Sequence, residues 1–221
     1  TVLIAVGFLV AGMGPFDAVA HALTTASTGG FSTRDASIGY WDSVAVESVL
    51  IVALILAAAS FTLHSRSWSV KRITHFGDHE FRGFLSVLAI CTLVVSTLLA
   101  IDGMAPARAL RVGLFNVVTL GTSGGFGNAT GVGSDGDWAR WAAGPQMVIL
   151  FLLVFGGCTG STAGGVKVMR LRVGMAHAAR TLHGFRRPRA LLPVRQGSAT
   201  LPDSLVERVA GFMVVYGMLV V

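Results

Sequence analysis

The sequence predicts an all-α integral-membrane fold made of tandem helix–re-entrant-loop–helix units, and three observations predict it. The chain is 53% apolar and only 13% charged over 221 residues, about half the charged fraction of an ordinary soluble domain. Residues 84–101 hold no charge over 18 positions, and at helical rise such a stretch nearly crosses a hydrocarbon core of roughly 30 Å. Two segments also repeat. Gly12-Met13-Gly14-Pro15 leads to Ser27-Thr28-Gly29-Gly30-Phe31-Ser32, and Gly103-Met104-Ala105-Pro106 leads to Thr122-Ser123-Gly124-Gly125-Phe126-Gly127, with the Gly-Gly-Phe elements 95 positions apart. Repeats of this length decide architecture and are common in transport proteins.

The elements follow in order. Thr1 to Ala11 is an apolar run, and because the chain opens and closes inside such runs without an initiator Met, it reads as an internal fragment of a longer protein. Pro15 and Pro106 suit the first turn of a new helix. The stretches they start, Phe16 to Ala26 and Ala107 to Leu120, are moderately apolar and too short to span a bilayer. Each runs into a Thr/Ser-Gly-Gly segment that helix propensity disfavours. Residues 43–62, with Glu47 near one end as the only charge, predict a full span, as do 84–101; a third begins at Ala143 and continues to Phe155, and a last apolar run covers Val209 to Val221.

Charge sets the orientation. Lys167, Arg170, Arg172, Arg180, Arg186, Arg187, Arg189 and Arg195 lie in a stretch without acids from Trp138 to Pro202, and Arg66, Lys71, Arg72 and Arg82 separate spans 43–62 and 84–101. Basic loops mark the cytoplasmic side, so these residues need no nucleic-acid partner. Both short helices and both glycine segments then enter and leave from the external face, as parallel re-entrant loops.

Irregular backbone at membrane depth must be buried in protein or line water. A loop that lines water can aim carbonyls at an ion and replace its hydration shell. Glycines permit the backbone angles this requires, and Ser27, Thr28, Thr122 and Ser123 add hydroxyl oxygens. Each short helix points its negative dipole end at the segment, which favours a cation. The absence of an acid in either segment fits a weakly hydrated monovalent ion better than a divalent one.

The span from Ala143 is expected to break at Gly156-Gly157-Cys158-Thr159-Gly160-Ser161-Thr162-Ala163-Gly164-Gly165, which has five glycines in ten residues. Such a segment can form a movable constriction or a close helix contact through small residues. Enzyme readings fit poorly. Val166 separates Gly165 from Lys167, which spoils a phosphate-binding loop, and no nucleophile elbow surrounds Ser161. Cys91 and Cys158 form neither a disulfide framework nor a metal-ligand spacing, and no cofactor is implied. Asp17 reads as a helix-start carboxylate, Arg34 as an external loop residue, and His21 as structural. Glu47 is the most costly of the four to bury.

Two motifs carry a family resemblance. Thr-Ala-Ser-Thr-Gly-Gly-Phe-Ser-Thr-Arg-Asp-Ala-Ser-Ile-Gly-Tyr at 25–40 and Phe-Gly-Gly-Cys-Thr-Gly-Ser-Thr-Ala-Gly-Gly-Val-Lys at 155–167 resemble the second pore region and the third-repeat intramembrane loop of the Trk/Ktr/HKT superfamily. The resemblance covers essentially the whole chain. It implies a potassium-channel-like transporter in the inner membrane, with four helix–pore-loop–helix repeats around one pore. By this resemblance residues 1–66 are the second repeat, 67–83 a cytoplasmic loop and 84–180 the third repeat; 181–204 form another cytoplasmic loop and 205–221 start the fourth repeat. Gly30 and Gly125 become filter glycines, with potassium expected at the carbonyls of Thr28, Gly29, Ser123 and Gly124. Residues 156–165 become the gate. A homodimer and a cytoplasmic nucleotide-binding regulatory subunit are also implied. The third-repeat Thr-Ser-Gly-Gly-Phe-Gly departs from the expected Thr-Thr-Ala-Gly-Phe-Thr, which keeps a sodium-permeable or sodium-coupled relative as the alternative. An intramembrane enzyme is the distant one.

Overall fold

The computed structural model describes residues 1–186, 195–196 and 199–220. The chain divides into two compact units, Thr1–Gly165 and Val166–Val221, so the division falls inside the segment 84–180. The expected loop 181–204 and the run to Val221 lie partly outside the described residues.

The first unit contains α1 (Val2–Val10), α2 (Pro15–Ala26), α3 (Val44–Ala57), α4 (Phe61–Val70), α5 (His79–Ile101), α6 (Pro106–Gly121) and α7 (Ala143–Val154). Prolines occupy the first positions of α2 and α6, where the missing N–H costs nothing. The repeat is visible in the backbone. Gly12 and Gly103 take φ of 101° and 99°, Thr28 and Ser123 take 52° and 55°, and Gly30 and Gly125 take 70° and 72°. Among the described residues α5 alone is long and apolar enough to cross a bilayer.

One expected span is corrected. Residues 43–62 are not a single helix: α3 and α4 meet at a 94° bend. In a continuous helix the Phe61 amide would donate to the Ala57 carbonyl. Here it donates to the Gly160 carbonyl at 2.9 Å, and the Ala57 carbonyl accepts from the Thr162 hydroxyl at 3.1 Å instead. The helix breaks because its bonds are exchanged for bonds to residues 156–165, a partner invisible in local sequence.

The core of this unit is aromatic near the repeat interface. His21 is fully buried, with its ring against Trp41 at 5.1 Å and stacked on Phe126 at 6.2 Å between centroids. Helices α5 and α6 pack through small residues; a Cβ at Gly113 would lie 2.5 Å from the Ser96 hydroxyl.

The second unit holds α8 (Val168–Arg186) and α9 (Asp203–Val220), with a two-residue antiparallel ribbon of β1 (Arg195–Gln196) and β2 (Ala199–Thr200). Buried Val173 and Val206 join its helices, and the Arg170 guanidinium lies 4.3 Å from the Phe212 ring centroid.

Between α4 and α5, His75 is buried and its Nε2 lies 3.1 Å from Nδ1 of His64. Burial, and then the neighbouring His64, hold the His75 imidazole below its ordinary pKa of 6.5. The folded chain therefore keeps this ring neutral while the unfolded chain takes up a proton as pH falls through about 6.5. The stabilisation is present above that pH and is lost on acidification. Thermal unfolding of the protein followed by tryptophan fluorescence should therefore show a smaller loss of stability between pH 7.5 and 5.5 in His75→Gln than in the wild type. Identical slopes would refute the assignment.

Candidate functional site

The two glycine segments, far apart in sequence, come together in the first unit. A Cβ on Gly30 would sit 2.3 Å from the Gly124 carbonyl oxygen and 3.2 Å from the Gly125 Cα. That approach, together with the positive φ, admits only glycine at this position.

The amides of both segments are tied back to the short helices that precede them. Gly29 N donates to the Thr24 carbonyl at 2.8 Å. Gly124 N and Gly125 N donate to the Thr119 carbonyl at 2.6 and 3.0 Å, and Phe126 N donates to the Thr119 hydroxyl at 2.8 Å. Thr24 and Thr119 are themselves 95 positions apart. Among the described residues, no donor reaches the carbonyls of Thr28, Gly29, Gly30, Ser123, Gly124 or Gly125. The segments thus spend their donors on helix ends and keep their acceptors available.

The hydroxyls are engaged locally. Ser27 donates to the Thr24 carbonyl, Thr28 to the Ser27 carbonyl, Thr122 to the Val118 carbonyl and Ser123 to the Thr122 carbonyl. They fix the turn, and their oxygens retain lone pairs.

Behind the segments, Glu47, His21 and Asp17 enter networks whose other members, Arg111, Asn116 and Asn128 above all, sequence reasoning missed. Glu47 is buried, and its carboxylate accepts from Arg111 Nε at 2.8 Å and from the Asn128 amide at 3.2 Å. Arg111 also donates to Asp42 at 2.9 Å. Fully buried Asn116 donates to Asn128 Oδ1 and to the Val112 carbonyl, both at 3.0 Å. His21 does the same work one repeat earlier. Its Nδ1 faces the Asp17 carbonyl at 2.7 Å and so carries the hydrogen, while Nε2 faces the Ser32 hydroxyl at 2.9 Å. Asp17 is more than a helix-start charge, since it accepts from Thr33 at 2.6 Å and from Arg34 at 2.9 Å. The readable signal was an Arg in a short apolar helix, because a cation there requires a buried carboxylate.

Residues 156–165 form a tight loop against the same site. A Cβ on Gly156 would lie 1.7 Å from the Gly164 carbonyl oxygen, so the two ends of the loop touch backbone to backbone. Cys158 N donates to the Ala58 carbonyl at 2.9 Å, and the Ser161 hydroxyl donates to the Cys158 carbonyl at 2.7 Å. Thr159 N donates to Glu80 at 2.8 Å, and Gly165 adopts φ of 67°. Gly164 N donates to the Ser123 hydroxyl at 2.6 Å. Ser123 therefore joins the second glycine segment to this loop directly. Gly157 packs against Ala58, and Gly160 caps α4 through Phe61.

Short helices ending at facing glycine segments, with a broken span folded against one of them, define a multi-pass membrane protein of the re-entrant-loop transporter class. The comparisons give the family: residues 6–221 match the model of the TrkH cation transport protein family, and the chain belongs to it. This is a family of transporters rather than enzymes, and the chain is a multi-pass inner-membrane segment. It is 38% identical to the Trk system potassium uptake protein TrkH of Halomonas elongata, covering 99% of this chain and 44% of that protein. It is 33% identical to TrkG of Escherichia coli K12, over 97% of this chain and 43% of the relative. The crystal structure of the potassium transporter TrkH from Vibrio parahaemolyticus superposes with a TM-score of 0.90 at 35% identity, over 98% of this chain and 46% of that one. The chain thus spans less than half the length of these relatives.

Replacing Arg111 by Ala leaves Glu47 buried without its cation, a defect that costs about 3–5 kcal/mol in comparable buried pairs. Arg111→Ala should lower the unfolding temperature strongly, and adding Glu47→Gln should restore part of the loss. An unchanged melting curve for Arg111→Ala would show that the pair is not needed.

Proposed function

We propose that this chain supplies two of the filter segments and the gate of a potassium-uptake pore. The observation that carries the reading is the donor–acceptor division at the glycine segments: amides bound to helix ends, carbonyls of Thr28, Gly29, Ser123 and Gly124 without a donor, and Gly30 against Gly124. A dehydrating ion needs oxygens that no other group satisfies, and the C-terminal ends of α2 and α6 add a field that favours a cation. Full-length relatives named as potassium uptake proteins support potassium as the ion.

Two filter segments do not close a pore. Phe126 is buried on His21 of the preceding repeat, whereas Phe31, its counterpart, is 76% exposed. In the complete protein Phe31 packs on the repeat that precedes this one. The whole assembly is a dimer that binds a cytoplasmic nucleotide-binding regulatory subunit on its basic side. The loop 156–165 is the gate, with Ser123 Oγ and Gly164 N as the catch nearest the ion path.

The test is growth at low potassium of a bacterium lacking its own uptake systems, carrying the full-length gene. The wild type should restore growth, Gly30→Ser and Gly125→Ser should abolish it or admit sodium at matched membrane levels, and Ser123→Ala should raise ion flux several-fold by freeing Gly164. Absence of rescue by the well-expressed wild type would overturn the proposal.

A further inference from the structure

The bend at 57–61 turns α4 across the direction of α3 by 94°, so if the apolar 14-residue α3 enters the bilayer from the external face, α4 runs along the cytoplasmic boundary that its flanking basic residues mark. The composition of this region suits that depth. Trp68 and Ile73 are 89% and 77% exposed, and Lys71 and Arg72 follow the helix directly. Aromatic and apolar side chains beside cations are the pattern of an interfacial helix.

Between α4 and the turn at 75–77 lies a pocket of about 380 Å³, lined among others by His64, Trp68, Lys71, Arg72, Ile73 and His75. Lys71 and Arg72 form no ion pair among the described residues. The acids nearest in sequence are committed elsewhere: Asp78 caps α5 by accepting from Phe81 N at 2.8 Å, and Glu80 accepts from Thr159. The imidazoles are saturated as well. His64 Nε2 lies 2.9 Å from the Leu56 carbonyl and therefore donates to it, which leaves Nδ1 to accept from His75 Nε2 at 3.1 Å, and His75 Nδ1 faces Ser67 at 3.3 Å. The pocket thus offers two unneutralised cations above a wall of two rings, open beside an exposed Trp.

We propose that this pocket binds the phosphate of an anionic lipid headgroup, with Lys71 and Arg72 as its ligands and Trp68 and Ile73 lodged among the acyl chains. A soluble phosphate would need the cations but not the flanking apolar side chains, and those favour the lipid. The wall of the site reaches the gate region by a short path. His64 bonds the Leu56 carbonyl, and the next two carbonyls, Ala57 and Ala58, hold Thr162 and Cys158. A bound headgroup therefore braces the end of α3 on which the loop 156–165 rests. The proposal rests on the membrane placement of the chain and not on the identity of the transported ion.

The test uses the purified full-length protein and native mass spectrometry of retained lipid, with phosphatidylglycerol and phosphatidylcholine as probes. Each cation near an anionic headgroup strengthens binding severalfold. The wild type should thus prefer phosphatidylglycerol by on the order of tenfold, and Lys71→Gln/Arg72→Gln should lose that preference. Lys71→Arg/Arg72→Lys should keep it, as should Arg82→Gln, which removes a nearby charge on the first turn of α5, outside the pocket. Equal retention by the wild type and the double Gln variant would overturn the proposal. So would equal loss in Arg82→Gln, which would indicate general surface charge. Full displacement of the lipid by millimolar inorganic phosphate would reassign the site to a soluble ligand, and loss of a soluble protein partner with lipid retention unchanged would reassign it to protein docking. Because lipid retention is read without ion flux, its failure is distinguishable from failure of the pore reading.

Discussion

The fold depends on where the backbone hydrogen bonds of its irregular stretches go. Three segments leave helical geometry, and each is satisfied by the end of a helix. The glycine segment at 28–30 uses the Thr24 carbonyl, the one at 123–125 uses the Thr119 carbonyl, and the loop at 156–165 uses Ala57 and Ala58. Helix ends possess such spare carbonyls by construction. A membrane protein that needs non-helical backbone must therefore bring each irregular segment to a helix terminus. The short helices α2 and α6 and the early end of α3 all meet this requirement.

The same requirement couples the parts. Breaking α3 frees the carbonyls that seat the loop, and the loop returns a carbonyl, from Gly160, to the amide that starts α4. The bend and the loop are one arrangement. Ser123 extends it to the glycine segments, since its hydroxyl donates to Thr122 and accepts from Gly164. A displacement of the loop must break or replace these bonds, while the glycine segments keep their own anchors on Thr119. The loop and the glycine segments are thus bonded to different carbonyls, a separation that the proposed division into gate and filter would need.

Much of this was legible in the sequence, and the boundary of legibility is physical. Period and punctuation placed the helices: Pro15 and Pro106 start α2 and α6, and the uncharged run 84–101 lies within α5, whose start at His79 is set by the Asp78 cap. The repeat of Gly-Gly-Phe located both glycine segments. The break in 43–62 was not legible, because the residues at 57–60 are compatible with a helix and lose it only to residues 100 positions away. Nor was the network around Glu47. Asn116 and Asn128 are ordinary polar residues until the fold places them between a buried carboxylate and the segment at 123–125.

The two repeats solve the same positioning problem with different chemistry. His21 and Asn116 stand 95 positions apart, and both reach the carbonyl four residues earlier and then a polar side chain in the loop that follows. An imidazole and a carboxamide share the needed feature, which is one donor and one further polar atom held rigidly on a helix face. What differs is the counter-charge, Asp17 with Arg34 in the first case and Glu47 with Arg111 in the second. In the first case both charges belong to one repeat. In the second, the acid comes from α3 and the base from α6, so the ion pair also locks two repeats together. The pair at Arg111 therefore contributes to the relative position of the two glycine segments, and with it to the distance between Gly30 and Gly124.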